Sequence, residues 1–267
     1  MAEYILSSFK TAVKSRMAKI YFFATLALIL IENIAVLAFR FIYGSNEGTF
    51  SYNVFEYASW CFLIPYYSCI ALAIIAYGSG YISPKKHGMK MIVPQSDGRD
   101  NVVVLKPWQV YVSKLIVTVL LALMFFVIAF ALLYVITTIF HFNEGFILKG
   151  VVISFLEKAV LSVPLWFAGI SIAIMFLFMF RKKWAAFFGF VIVTVVIPQL
   201  IRIFSLDTFK IELFRTIRKY TITQSFGLVP YPSYPDRSVP LIVTIGIVYG
   251  VLAMIIGISS YNSKAKQ

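Results

Sequence analysis

The residues Val110–Phe140 read VYVSKLIVTVLLALMFFVIAFALLYVITTIF and contain a single charged side chain, Lys114. A helix needs roughly 20 apolar residues to cross the hydrocarbon core of a bilayer, which is about 30 Å thick. This stretch is longer than a perpendicular crossing requires. It therefore predicts a membrane helix that is tilted or extends beyond the bilayer.

Similar apolar runs recur along the rest of the chain. They are Ile20–Tyr43, Tyr57–Ile82, Val151–Phe180, Trp184–Phe204 and Val239–Tyr261. Hydrophobic residues make up 61% of the chain and charged residues 13%, and the mean hydropathy of +0.88 excludes a soluble core. Membrane β-strands would alternate in segments of about 10 residues, whereas these runs are continuous. We therefore predict an all-α polytopic membrane protein with six transmembrane helices in a single transmembrane domain, residues 1–267.

The basic residues predict the orientation of the helices in the membrane. If the N-terminus is cytoplasmic, fifteen of the 24 lysines and arginines fall on the cytoplasmic side. Six of the remaining nine lie in one long external connection, and long connections count less in this rule. Both termini are therefore expected on the cytoplasmic side of the plasma membrane. The net charge of +13 fits basic flanks beside anionic lipid better than nucleic-acid binding.

The N-terminal segment, residues 1–19, has the pattern of an amphipathic helix. Ile5, Phe9 and Val13 share one helical face, and Ser8 and Thr11 lie opposite. Such a helix lies in the membrane interface rather than crossing it. An ordinary basic flank before the first span is the alternative.

Two of the connections are long enough to hold structure. Residues 83–109 alternate helix breakers and charges with the apolar pieces Met89–Val93 and Val102–Leu105, which predicts one or two short cytoplasmic elements. Residues 205–238 are external. There, Phe209, Leu213 and Ile217 recur at helical spacing and indicate an amphipathic helix, and a proline–tyrosine run follows them.

We find no pattern for catalysis, for cofactor binding or for a metal site. No Gly-Lys dipeptide exists that could form a nucleotide-binding loop, and the two histidines fall on opposite predicted sides of the membrane. Deep within the spans, the polar pair Glu32 and Asn33 predicts either a polar path for a substrate or a structural hydrogen bond.

Two features bear on how the spans pack. Gly246 and Gly250 form a Gly-x-x-x-Gly motif, which favours close contact between helices, and we expect this contact within one chain rather than across a dimer. Near the outer end of the fourth span, Glu157 and Lys158 are expected to extend their charged ends towards the interface.

The layout resembles the membrane subunit of a type-2 ABC exporter, the ABC-2 permease family. Those subunits have an N-terminal interfacial helix, six spans, a coupling helix between spans two and three, and short re-entrant helices between spans five and six. Residues 1–19, 83–109 and 205–238 occupy those three places. The local match is best over Leu105–Leu115, LKPWQVYVSKL. Lys86-His87 stands before Gly88, where the family often has an acidic residue.

The resemblance implies a permease that works with a separate cytoplasmic ATPase subunit, which would bind ATP and magnesium, and with a second permease copy. The residues expected to contact the ATPase are Lys85, Lys86, Lys90, Met91, Arg99, Val104, Lys106 and Trp108. The cargo is expected to be amphipathic or hydrophobic, with an exported peptide toxin, bacteriocin or antimicrobial peptide favoured. Alternatives are export of a lipid or lipid-linked polysaccharide, and ion-coupled secondary transport.

Overall fold

The computed structural model describes residues 1–43, 68–79, 81–83, 89–94, 100–140, 149–205, 211–228 and 238–265. Within these residues, five helices are long and apolar enough to cross a membrane. Five of the six predicted spans are thereby confirmed as helices of spanning length. Of the predicted second span, Tyr57–Ile82, the structure describes a ten-residue helix at Cys69–Gly78, and residues 57–67 lie outside the described ranges. The predicted end of this span is wrong, because Tyr81 and Ile82 belong to a β-strand.

The helices follow one another along the chain with a small sheet between the third and the fourth. They are α1 (Ala2–Lys14), α2 (Arg16–Tyr43), α3 (Cys69–Gly78), α4 (Pro107–Phe140), α5 (Lys149–Phe180), α6 (Lys183–Val191), α7 (Ile197–Ser205), α8 (Glu212–Lys219), α9 (Ile222–Leu228) and α10 (Ser238–Ala265). A π-helical segment, Ile192–Val196, joins α6 to α7, so the two form one continuous span.

The connection between α3 and α4 contains a three-stranded antiparallel sheet in the order β1 (Tyr81–Ser83), β2 (Met89–Pro94) and β3 (Asp100–Leu105). Lys90 pairs with Val104 and Met91 with Val103 across β2 and β3. The all-α prediction is therefore wrong for this connection. Both apolar pieces of the connection are rich in β-branched residues and bounded by turn residues, a composition that favours strands over helix.

The centre of the helical body is α5, whose spanning part is 72% buried, whereas the α6–α7 span is only 11% buried. On α10, Gly246 lies so close to α5 that a Cβ on it would be 2.6 Å from the Pro164 carbonyl carbon. A Cβ on Gly250 would meet the Phe167 ring. The Gly-x-x-x-Gly motif therefore packs α10 against α5 within the chain.

The N-terminal helix is shorter than predicted, because α1 ends at Lys14 and Ser15 is extended, with ψ 150°. The Ser15 hydroxyl accepts a hydrogen bond from the Ala18 N–H at 3.1 Å and so caps the start of α2. The fully buried face of α1 carries Tyr4, Ser8 and Ala12, and the neighbouring Ile5, Phe9 and Val13 of the predicted apolar face are partly buried against the core. Small side chains at positions 8 and 12 allow α1 to approach α3 and α4 closely.

Ala12→Leu is expected to push α1 away from α4, because Ala12 is fully buried and overpacking a filled site costs about 1–3 kcal/mol. The midpoint of denaturant unfolding in detergent should fall. Thr11→Leu, at the exposed neighbouring position, is the control and should leave that midpoint unchanged. Equal midpoints for the two variants would contradict the buried placement of Ala12.

The predicted amphipathic helix of residues 205–238 is present as α8, although it begins at Glu212 and Phe209 lies outside the described residues. After it, Thr221 caps α9, since its hydroxyl accepts the Gln224 N–H at 3.3 Å and donates to the Arg218 carbonyl at 2.9 Å. The proline–tyrosine run beyond Leu228 lies outside the described residues.

A proline in the α6–α7 span leaves a backbone carbonyl to which α9 is bonded. Pro198 has no N–H, so the carbonyl of Thr194, four residues earlier, lacks its usual helical donor. The Thr223 hydroxyl of α9 donates to that carbonyl at 3.0 Å. The Thr223 hydroxyl therefore replaces the missing helical donor and holds α9 against the α6–α7 span.

Candidate coupling site

The start of α4 is set by a local cap. The Lys106 N–H donates to the Gln109 side-chain oxygen at 2.8 Å, as in a capping box, and Pro107 takes the first helical position, where its missing N–H costs nothing. This geometry turns the chain sharply from β3 into α4. It leaves Lys106 and Trp108 exposed at the junction.

Ser79 marks the other end of the sheet connection. Its backbone is extended (φ −83°, ψ 125°), which ends α3, and its hydroxyl donates to the Ala76 carbonyl at 2.7 Å. The chain then enters β1. Both ends of the sheet connection therefore leave the same part of the helical body.

Lys114 joins these two ends. It lies two turns inside α4 and is fully buried. Its Nζ donates to the Ser79 backbone carbonyl and lies 3.5 Å from the Ser79 hydroxyl oxygen. A buried amino group is costly unless it is hydrogen-bonded, and the buried Ser79 carbonyl just after α3 supplies that partner.

The N-terminal helix contributes to the same point. Lys114 Nζ lies 5.3 Å from the centre of the Tyr4 ring, within the range of a cation–π contact. Burial raises the pKa of the Tyr4 phenol to about 12, so the ring faces the ammonium as a neutral aromatic group. The Lys114 amino group therefore links α1, α3 and α4 where the sheet leaves the helices. We call Tyr4, Ser79 and Lys114 the sheet anchor.

An aromatic cluster lies next to the sheet anchor and extends the contact to α5 and α10. Phe178 is its centre, with ring centroids 5.3 Å from Tyr77, 5.0 Å from Tyr111 and 4.6 Å from Tyr261. Gly257 of α10 faces the Tyr111 hydroxyl, where a Cβ would collide. Four helices, α3, α4, α5 and α10, therefore meet beside the anchor through packed aromatic side chains.

The residues expected to contact an ATPase fall into three groups. Lys90, Met91 and Val104 lie on the central and last strands, where the pairing of β2 with β3 holds them. Lys106 and Trp108 are exposed at the start of α4. Lys85, Lys86 and Arg99 lie outside the described residues.

The sequence did not predict the contacts of Lys114 with Ser79 and Tyr4. There, Lys114 was only a basic residue that leads into a span. A signal was present, since Lys114 is the one charge in the 31 residues of Val110–Phe140. A lone charge two turns inside a spanning helix needs a partner in the body of the protein. That partner is a backbone carbonyl, which no residue pattern identifies.

Glu32 and Asn33 do not form one polar site. Asn33 is buried and donates to the Ile29 carbonyl of its own helix at 2.9 Å, whereas Glu32 lies on the exposed side of α2. Adjacent helical residues point about 100° apart, given 3.6 residues per turn. The hydrogen bond of Asn33 matches the structural alternative of the two predicted roles.

The charged pair on α5 also separates. Glu157 is exposed as expected, but Lys158 is only 2% exposed, so the predicted extension of both side chains to the interface is wrong for Lys158. Its position on the inward side of α5 decides this.

Among the described residues, no three or more His, Cys, Asp or Glu side chains lie close enough to hold a metal ion. Comparisons with family models, with curated proteins and with solved structures find no match for this chain.

Proposed function

We propose that this chain is the membrane subunit of an ATP-driven exporter, in which a separate ATPase subunit moves the β1–β3 sheet. The observation that supports it most is the sheet anchor. A short element between two spans is fixed at both ends to one buried cation, which also contacts the N-terminal helix. A ligand-driven change in a partner can do work on this chain only through such a contact.

The remaining architecture agrees with this proposal. The resemblance to ABC-2 permeases implies an N-terminal helix beside the coupling element and short helices returning from the outer side. α1 contacts β2, and α9 contacts α5, α10 and the π-helical segment. Two such chains with two ATPase subunits would form the working exporter in the plasma membrane, with both termini of each chain in the cytoplasm.

The cargo we favour is an amphipathic peptide. The connection of residues 205–238 is too short to form a separate folded domain that would process a large polymer outside the membrane. Ion-coupled transport is less favoured, because Asn33 is bonded to its own helix and Glu32 does not share a site with it.

The first test is copurification of this chain with an ATP-binding subunit from the cell that produces it. Changing Lys85, Lys86 and Lys90 together to Glu should abolish copurification and the stimulation of ATP hydrolysis, because acidic groups on the partner would then be repelled. The control changes Lys264 and Lys266 to Glu, which alters charge on the same predicted side and should have no effect. Failure of any ATPase to associate, with transport driven by a proton or sodium gradient, would refute the proposal.

A further inference from the structure

An apolar groove lies between α5 and α10, away from the sheet anchor. Its volume is about 690 Å³, and it is lined by Ile153, Leu156, Glu157, Val160, Leu161, Pro164, Val239 and Val243. Seven of these eight side chains are apolar. The groove lies next to the Gly246–Pro164 contact of α10 with α5.

The one charged side chain of the groove is Glu157, which is exposed and lies between Ile153 and Val160 along α5. Pro164, further along the lining, is roughly 10 Å away along the helix axis at the rise of 1.5 Å per residue. A carboxylate beside an apolar groove matches an amphiphile with a cationic head and a hydrocarbon tail.

The groove has room to continue towards the middle of the membrane. A second apolar cavity of about 320 Å³ lies between α4, α5 and α10 and shares Pro164 with the first. Along α5, Ile153, Leu156, Val160 and Val163 form an exposed apolar stripe beside Glu157. Lys158, the next residue, is buried and does not line the groove.

We propose that this groove binds one phospholipid with an amino headgroup, with an acyl chain against the apolar lining and the ammonium group beside Glu157. The groove lies within the spanning parts of α5 and α10, so lipid is the molecule that meets it in the membrane. The negative carboxylate selects a headgroup that carries an amine over one that carries only a phosphate. This site is independent of the proposed export function.

Native mass spectrometry of the purified chain, titrated with phosphatidylethanolamine or phosphatidylglycerol, tests the site. Glu157→Gln should weaken phosphatidylethanolamine binding roughly threefold to fivefold, as expected for an exposed charge pair, and should not weaken phosphatidylglycerol binding. Glu212→Gln, which removes a carboxylate outside the groove, is the control. If the unaltered chain binds phosphatidylethanolamine and phosphatidylglycerol equally, and Glu157→Gln does the same, the proposed selection by charge is overturned.

A second pair of variants separates the groove from the general lipid surface. Val243→Phe fills the groove and should lower the binding of both lipids. Val248→Phe adds the same bulk on α10 at an exposed position that lines neither cavity and should change nothing. Equal lipid binding by both variants would overturn the proposal. Disruption of a dimer by Val243→Phe but not by Val248→Phe would also overturn it, because a second copy of the chain would then occupy the groove.

Discussion

A Lys114→Met chain is expected to keep its helices and to lose the attachment of the β1–β3 sheet. Methionine retains most of the volume of the lysine but leaves the Ser79 carbonyl without its donor. Hydrogen bonds to charged groups contribute about 1.5–3 kcal/mol. Hydrogen exchange of residues 79–83 and 100–105 should therefore become about tenfold to one-hundredfold faster, at tenfold per 1.4 kcal/mol.

The control for this prediction is Lys106→Met. Lys106 is exposed at the start of α4 and its side chain is not part of the sheet anchor, so exchange in the sheet should remain as in the unaltered chain. If the proposed exporter assembly is correct, Lys114→Met should also separate ATP hydrolysis from transport, because an ATPase would then move a sheet that no longer displaces α1 and α4. Unchanged exchange at residues 79–83 would show that Lys114 does not hold the sheet.

Gly246→Ala is expected to destabilise the α5–α10 pair more than Gly250→Ala does. A Cβ at position 246 meets the backbone and ring of Pro164, which cannot rotate away, so the helices themselves must separate. Overpacking of this kind costs about 1–3 kcal/mol. A Cβ at position 250 meets only the ring of Phe167, a side chain that has room to turn.

Unfolding by denaturant in detergent, followed by circular dichroism, measures the difference between the two glycine variants. Each adds one methyl group to the same helix, so helix propensity favours both to the same extent, and the two serve as controls for each other. The midpoint for Gly246→Ala should lie below that for Gly250→Ala. The reverse order would mean that α10 does not contact α5 at Pro164.

The positions of the membrane helices could be predicted well because they depend on one length, the thickness of the hydrocarbon core. An apolar run such as Val110–Phe140 must be helical and must cross, since the bilayer offers no hydrogen-bond partner to an irregular backbone. The predicted span began at Val110, whereas α4 begins at Pro107, because the Gln109 side chain caps the Lys106 N–H and proline suits the first helical position.

The connection of residues 83–109 shows what the sequence pattern could not predict. Its apolar pieces, Met89–Val93 and Val102–Leu105, were visible, but six-residue strands and short helices are hard to tell apart by periodicity alone. Their pairing as β2 and β3 depends on contact between residues up to sixteen apart, such as Met89 with Leu105. No local property of either segment specifies that contact.

By itself, the sequence determined that this is a multi-pass helical membrane protein, because the apolar runs have to match the thickness of a bilayer. Only the tertiary structure decided which side of α1 is buried and which of Glu157 and Lys158 is exposed. It also decided that Lys114 is hydrogen-bonded to the Ser79 carbonyl. These outcomes depend on which surfaces meet at close range. In a chain whose helices are apolar on every side, the hydrophobic pattern does not distinguish one face from another.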